Sequence, residues 1–463
     1  MATTSTTPAT LDLDHLRAEV DGQVIGPDDA DYDAARSVFY GGHDARPAAI
    51  VRVAGDDDVA RVVAIARDTG LELAVRSGGH SGAGHGTTDG GLILDLSAMQ
   101  AIELDVEGRT VWAETGLTAA ALSSAVAEHG LIIGFGDTGT VGIGGITTGG
   151  GIGYLVRKYG LTIDNVLAAD VITADGQRHR VDAQHEPDLF WAIRGGGGNF
   201  GVVTRFRFQL HEVPSVVGGM LVLPATADTI VGFLAAAEAA PEELSTIANV
   251  MPAPPMPFLP EALHGTPVIL GLMAYAGDEA AGNAALAPFR ALAEPLADFC
   301  KAMPYPELFP PDEGDYHPVA AARTFFVEDV DHATAQLILD RIEAHMASSD
   351  SQAAVAQLRV LGGASARVPD DATAYAHRSN RIMVNVASLF PAMDGAAPHE
   401  AWVESLTGDL RTGADRAYVN FLADDGPARI RAAYPGRTWD RLVELKRRYD
   451  PDNLFRRNQN IAP

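Results

Sequence analysis

In the run 134–153, ten of twenty residues are glycine. Glycine loses more backbone freedom on folding than any other residue, so a run this dense is costly unless the chain needs it. The need arises where the backbone must follow a path closed to other residues or approach a ligand closely. A flexible linker would carry the glycines but not the apolar Val141, Ile143, Ile146 and Ile152. A second such stretch, Arg76-Ser77-Gly78-Gly79-His80-Ser81-Gly82-Ala83-Gly84-His85-Gly86, lies upstream. Its small residues let backbone N–H groups converge on an anion. Taken alone it reads as a glycine-rich surface turn.

Gly134, Gly136 and Gly139 match GxGxxG after the apolar run 131–133. A dinucleotide fingerprint needs a helix at once and an acidic residue about 20 residues on. More glycine follows instead of a helix, and no Asp or Glu stands between Gly139 and Leu161. A Rossmann site is therefore not expected.

Composition narrows the class. The chain has 463 residues, 34 Lys plus Arg and 61 Asp plus Glu, for a net charge of −27. At about 100–200 residues per domain, two or three domains are expected. No basic cluster is present to neutralise phosphates, so neither a nucleic-acid partner nor an anionic membrane surface is expected. The single cysteine, Cys300, excludes an intrachain disulfide, a CxxC redox pair and a Cys-based zinc site. No apolar run approaches the ~18 residues of a membrane helix. Residues 1–10 lack the basic-then-apolar order of a secretory signal and read as a frayed tail. A soluble protein of a reducing cytoplasm is the expectation.

Across 47–214, β-rich runs at 49–53, 71–75, 92–96, 111–114, 166–173 and 202–210 alternate with helical patterns. Asp57 is the expected cap of a helix with Val59, Val62, Val63 and Ala66 on its apolar face, ending before Gly70. Thr118 is expected to cap an Ala-rich helix that stops at Gly130. From 217 to 415 the texture changes. Helices are expected at 226–239 and 332–346, strands at 268–274 and 382–388, and a Pro-rich loop at 251–260. A last helix, 439–449, places Trp439, Leu442, Leu445 and Tyr449 on one face and ends at Asp450-Pro451. The order is α+β.

The runs RSGGHS (76–81), DGGLILDLSAM (89–99), TVGIGGITTGGGIGYLVRKYGLTIDNV (140–166), VITADG (171–176), DLFWAIRGGGGNFGVVT (188–204) and YDPDNLFRRNQNIAP (449–463) together resemble the berberine-bridge-enzyme-like FAD-linked oxidases. These belong to the vanillyl-alcohol-oxidase/p-cresol-methylhydroxylase superfamily. The resemblance implies an N-terminal segment (1–45) and a two-part FAD-binding domain of the vanillyl-alcohol-oxidase type (46–214 with 416–463). It also implies an inserted sheet-and-helix substrate domain (215–415).

It further implies roles for residues. To FAD it assigns Arg76, Ser77, Gly78, Gly79, His80, Ser81 and His85 in the first loop. It adds Gly116, Thr138, Gly142, Gly144, Gly145, Thr148, Gly149 and Gly153 around the second. Ile172 lies along the adenosine end, Tyr418 and Asn420 form the Tyr-x-Asn step beside the ring, and Asn458 and Asn460 close the site. His80 matches the histidine that family members bond to the 8α-methyl carbon of FAD. Thr138 stands where many relatives carry a second, cysteinyl link, so a single link through His80 is implied. Val141 lies where a small residue accompanies oxidase behaviour. Phe421 replaces the tyrosine that serves several relatives as a base, which leaves Tyr418 and His377 as candidates. The histidines have no evident further ligands, so no metal is expected. The implied reaction takes a hydride from a small-molecule amine, alcohol or phenol and reduces oxygen to hydrogen peroxide. The rivals are a flavin dehydrogenase with another acceptor and a flavin-binding protein without turnover. Nothing in the residues speaks to oligomeric state.

Overall fold

A computed structural model describes residues 11–463 apart from 312, 313 and 315; the expected frayed tail at 1–10 lies outside the described residues. Two sheets carry the first part of the chain. In the smaller, the strands Gln23–Ile25, Ala49–Arg52, Leu92–Asp95 and Leu73–Arg76 lie in that order, the last three parallel. The helix Asp56–Thr69 packs on it through buried Val59, Val62, Val63 and Ala66. Its start differs from the expected cap. Gly55 holds the N-cap position, and Asp57 lies in the first turn, paired with Arg178. Asp58, buried, instead accepts N–H bonds from Asp21, Gly22 and Ala54 and so ties the N-terminal segment down. Gly70 closes the helix in the left-handed conformation, donating to the Ala66 carbonyl.

The second sheet is antiparallel, ordered Ile102–Asp105, Thr110–Glu114, Val202–Gln209, Val166–Ile172, Arg178–Asp182. Beside it the helix Ala119–Ala127 is capped as expected, the Thr118 hydroxyl accepting the Ala121 N–H at 3.2 Å. The glycine run departs from expectation. A helix does form there, over Ile143–Gly149. Burial of Ile143 and Thr147, one turn apart, outweighs the cost of about 1 kcal/mol per helical glycine. It is still no Rossmann unit: the preceding strand, Leu131–Ile132, pairs antiparallel with His211–Glu212 and not into a parallel βαβ unit.

Residues 216–410 build an antiparallel sheet, ordered Ala297–Asp298, Val216–Pro224, Pro267–Tyr275, Leu244–Pro252, Ala353–Val360, Ile382–Phe390, Val319–Val327, with Lys301–Met303 also beside Val216–Pro224. The first two residues of the expected Pro-rich loop belong to the strand Leu244–Pro252. The helices Ala227–Ala239, Glu279–Arg290, His332–Ser348 and Ala396–Leu410 cover one face. Alternation along the strands separates two rows. Ala248, Leu358, Val384 and Phe325 are register partners packed under the helices. One residue along, Asn249, Gln357, Asn385 and Thr324 form the neighbouring row on the opposite face.

After this sheet the chain returns to the first part. Leu442, Leu445 and Tyr449 of the helix Arg437–Tyr449 are buried, and Trp439 is half-buried. Lys446 and Asp450 form an ion pair at 2.6 Å with neither side chain exposed. Lys446 also donates to the carbonyls of Asn199 and Phe455, each at 2.9 Å. Asn199 Oδ1 accepts the N–H of Ile461. Among the described residues no helix is long and apolar enough to cross a membrane.

Candidate functional site

The two glycine stretches cross at Gly78 and Gly142. A Cβ on either would stand well inside contact distance of the other's backbone nitrogen. Ser77 Oγ locks the crossing, donating to the Thr115 carbonyl at 2.5 Å and accepting the Gly144 N–H at 3.3 Å. Gly116 and Gly153 are just as tightly placed, against the carbonyls of Leu96 and Phe135. Gly149 leaves room for the Asn420 amide. Gly145 differs: it is exposed, and an added Cβ would meet nothing within 4 Å.

Tyr418 and Asn420 clamp the end of the glycine helix. The Tyr418 phenol oxygen accepts the Gly151 N–H at 2.8 Å and an Asn420 Nδ2–H at 3.0 Å, and Asn420 donates to the Ile146 carbonyl at 3.0 Å. Burial raises the Tyr418 pKa. Phe421 lies 5.2 Å from the Tyr418 ring. His80 stacks on Phe39 at 4.1 Å, and Gly79 beside it has φ +71°. Half-buried His85 is pushed down to about 4, first by burial and then by Arg457. Arg457 donates to the carbonyls of Thr87 and Gly84, so the C-terminal segment braces the first glycine loop. Half-buried Val141 uses its carbonyl to accept the Ala119 N–H at 2.8 Å. Ser81 and Thr138 are half-buried, and Thr148 donates to the Gly145 carbonyl.

Several residues assigned to the cofactor are engaged elsewhere. Arg76 pairs with Asp95 at 2.9 Å and donates to the carbonyls of Ala35 and Ser37, so its guanidinium holds the N-terminal segment. Ile172 lies in an apolar core with Val202, Leu454 and Phe455. His377, expected as a candidate base and not as a cofactor residue, is buried against Phe326, and burial takes its pKa down to about 4.

A model described as an FAD binding domain matches residues 47–182, and one described as berberine and berberine like matches residues 417–462. An FAD-linked oxidoreductase of Dictyostelium discoideum is 31% identical over 90% of this chain and 89% of its own. The (R)-6-hydroxynicotine oxidase of Paenarthrobacter nicotinovorans is 29% identical over 96% of this chain and 97% of its own. The crystal structure of 6-hydroxy-D-nicotine oxidase from Arthrobacter nicotinovorans superimposes with a TM-score of 0.85 at 28% identity, covering 96% of this chain and 98% of that one. The chain belongs to the berberine-bridge-enzyme-like FAD-linked oxidoreductases. It is an FAD-dependent oxidoreductase with the α+β fold of the vanillyl-alcohol-oxidase type, as its motifs implied.

The residues present fit FAD. Thr147 Oγ1, Asn458 Oδ1 and Asn460 Oδ1 are buried and have no hydrogen-bond partner among the described residues. Buried polar groups are ordinarily paired, and polar groups of a bound FAD beside these three would pair them. Added Cβ atoms at Gly145 and Gly198 would meet open space. Among the described residues no cluster of His, Cys, Asp and Glu could hold a metal.

Sequence reasoning missed the charged pair of this berberine-like site. Asp137 meets Arg359 at 2.6 Å, and the Arg359 guanidinium lies 5.3 Å over the Phe421 ring. Asp137 had a signal: it is the only acidic residue in the glycine run. Arg359 had none.

Proposed function

We propose that this oxidoreductase removes a hydride from the carbon next to the nitrogen of a small-molecule amine and uses oxygen as its electron acceptor. The observation that carries the amine reading is the Tyr418–Phe421 step. Phe421 has no group to take a proton. Tyr418 is 1% exposed, and burial outweighs the two N–H donors on its oxygen and raises its pKa, which favours the protonated phenol. It works as a clamp, keeping the glycine helix in position. A hydroxyl substrate must lose a proton to a base as it is oxidised, whereas a free amine need not. A relative named for 6-hydroxynicotine, an amine, supports this reading.

When bound, FAD supplies the hydride acceptor and passes the two electrons on to oxygen as hydrogen peroxide. His80 would carry it through a single covalent bond, in line with Thr138 at the position of the second link. Gly145, Thr147, Asn458 and Asn460 would meet its polar groups. Val141 would face the ring on the oxygen side. The dehydrogenase alternative predicts reduced flavin that outlasts minutes in air-saturated buffer.

The test is anaerobic flavin reduction across pH with amines of different basicity. The rate is expected to rise through each amine's own pKa. A single step at one fixed pH for every amine, abolished by Tyr418→Phe, would make Tyr418 the base and return the reaction to alcohols and phenols.

A further inference from the structure

The Asp137–Arg359 pair is not among the residues assigned to the cofactor, and it is elaborately held. The Arg359 side chain is 4% exposed and that of Asp137 20%. Arg359 also donates to Gln357 Oε1 from Nε at 2.9 Å and Nη2 at 2.7 Å, and to the Ile152 carbonyl at 3.4 Å. A guanidinium has donors only. It therefore fixes which end of the Gln357 amide faces it. The Gln357 nitrogen then donates to Asn249 Oδ1 at 2.8 Å, and Asn249 Nδ2 to the Leu270 carbonyl at 3.1 Å. One cation orients a row of amides across three strands. On the other side, the Asp137 charge adds to the burial that raises the phenols of Tyr40 and Tyr154. Tyr40 packs edge-on to Phe39 at 5.0 Å, and Phe39 stacks on His80. The Arg359 guanidinium, 5.3 Å over the Phe421 ring, sets the pair beside the Tyr418–Phe421 step.

We propose that the Asp137–Arg359 pair sets the charge class of the substrate: balanced, it admits an uncharged molecule and turns away both ammonium and carboxylate forms. This rests on the reading that the substrate is oxidised beside the Tyr418–Phe421 step. A charge entering a largely buried site gives up its hydration and needs a partner there. Here each charge already has one. Asp137 turns to an ammonium only by releasing Arg359, and Arg359 turns to a carboxylate only by releasing Asp137. Either exchange leaves a buried ion alone. An amine therefore enters after leaving its proton in the water, as the free base that the hydride step requires.

The test uses the flavin-loaded protein and three probes of one shape: benzyl alcohol, benzylammonium and benzoate. Binding is read from the change in flavin absorbance at pH 7. The wild type is expected to bind the alcohol most tightly. Arg359→Gln leaves Asp137 unpaired and should raise the affinity for benzylammonium relative to the alcohol by about tenfold or more; Asp137→Asn should do the same for benzoate. The double variant carries no unpaired charge, so it should fold even where a single variant does not, and should restore the wild-type order. An unchanged order in the single variants, a double variant that prefers either ion, or no absorbance change with any probe in any form overturns the proposal. Failure of the underlying reading is seen separately, as a flavin that no amine reduces while the order of the probes still follows the charge.

Discussion

At the crossing of Gly78 and Gly142 the wall of the site is backbone against backbone, with no room for a methyl group. On the facing sheet the wall is side chains: Asn249, Gln357 and Arg359 stand on a face whose reverse is an ordinary apolar core under helices. The first wall is specified by what is absent, and any added atom damages it. The second is specified by which side chain stands at which register. A charge-balanced change there is expected to keep the fold and to show in what binds. A cofactor shared by a family suits the first kind of wall, and a substrate that differs among members suits the second.

The contrast breaks first at Gly142. Gly142→Ala is expected to yield no folded, soluble protein, because the Cβ meets Gly78 backbone and Ser77 Oγ, neither a flexible chain end. Gly145→Ala, with open space before it, should still fold to soluble protein while losing flavin. Normal folding of Gly142→Ala would erase the distinction. Next comes Leu358→Ala, under the helices of the large sheet. A cavity there should cost about 3 kcal/mol in denaturant unfolding and leave flavin content unchanged. Equal flavin loss in that variant would mean that the two walls do not behave separately.

A smaller effect is acid sensitivity in the helix layer. His345 stacks on Trp402 at 4.3 Å and bonds Ser388 and His399, which in turn bonds Asp350. Burial takes the His345 pKa down to about 4. Because the folded value lies below the unfolded one of about 6.5, the unfolded chain binds the proton first. Stability is therefore full above pH 6.5 and falls toward pH 4. The melting temperature of His345→Gln should fall less steeply over that window than that of the wild type. His85, His211 and His377 share the sign, so the variant removes one part of the slope. The smallest effect is at Val141. Val141→Leu should slow flavin reoxidation by oxygen with anaerobic reduction nearly intact.

The backbone-built wall was also the legible one. Glycine density at 134–153, the Thr118 cap and the left-handed Gly70 all leave marks in local sequence. The helix at Ile143–Gly149 did not, because propensity speaks against glycine and only tertiary burial of Ile143 and Thr147 overrules it. Arg76 looked like a ligand of the loop it opens, but its partner Asp95 comes from the neighbouring parallel strand. Asp137 and Arg359 lie 222 residues apart and meet only once the glycine run is brought against the large sheet. No local pattern encodes that meeting.

The buried Lys446–Asp450 pair and the bonds around Asn199 have a consequence for synthesis. The strands and helices of the large sheet are contiguous over 216–410, so the translating ribosome delivers that whole layer in one stretch. The glycine loops emerge earlier, yet they wait for Tyr418, Asn420 and Arg457, the last-made of these contacts. The part that begins first is finished last. A nascent chain thus passes through a stage in which the large sheet is complete while the glycine loops still lack their contacts from Tyr418, Asn420 and Arg457.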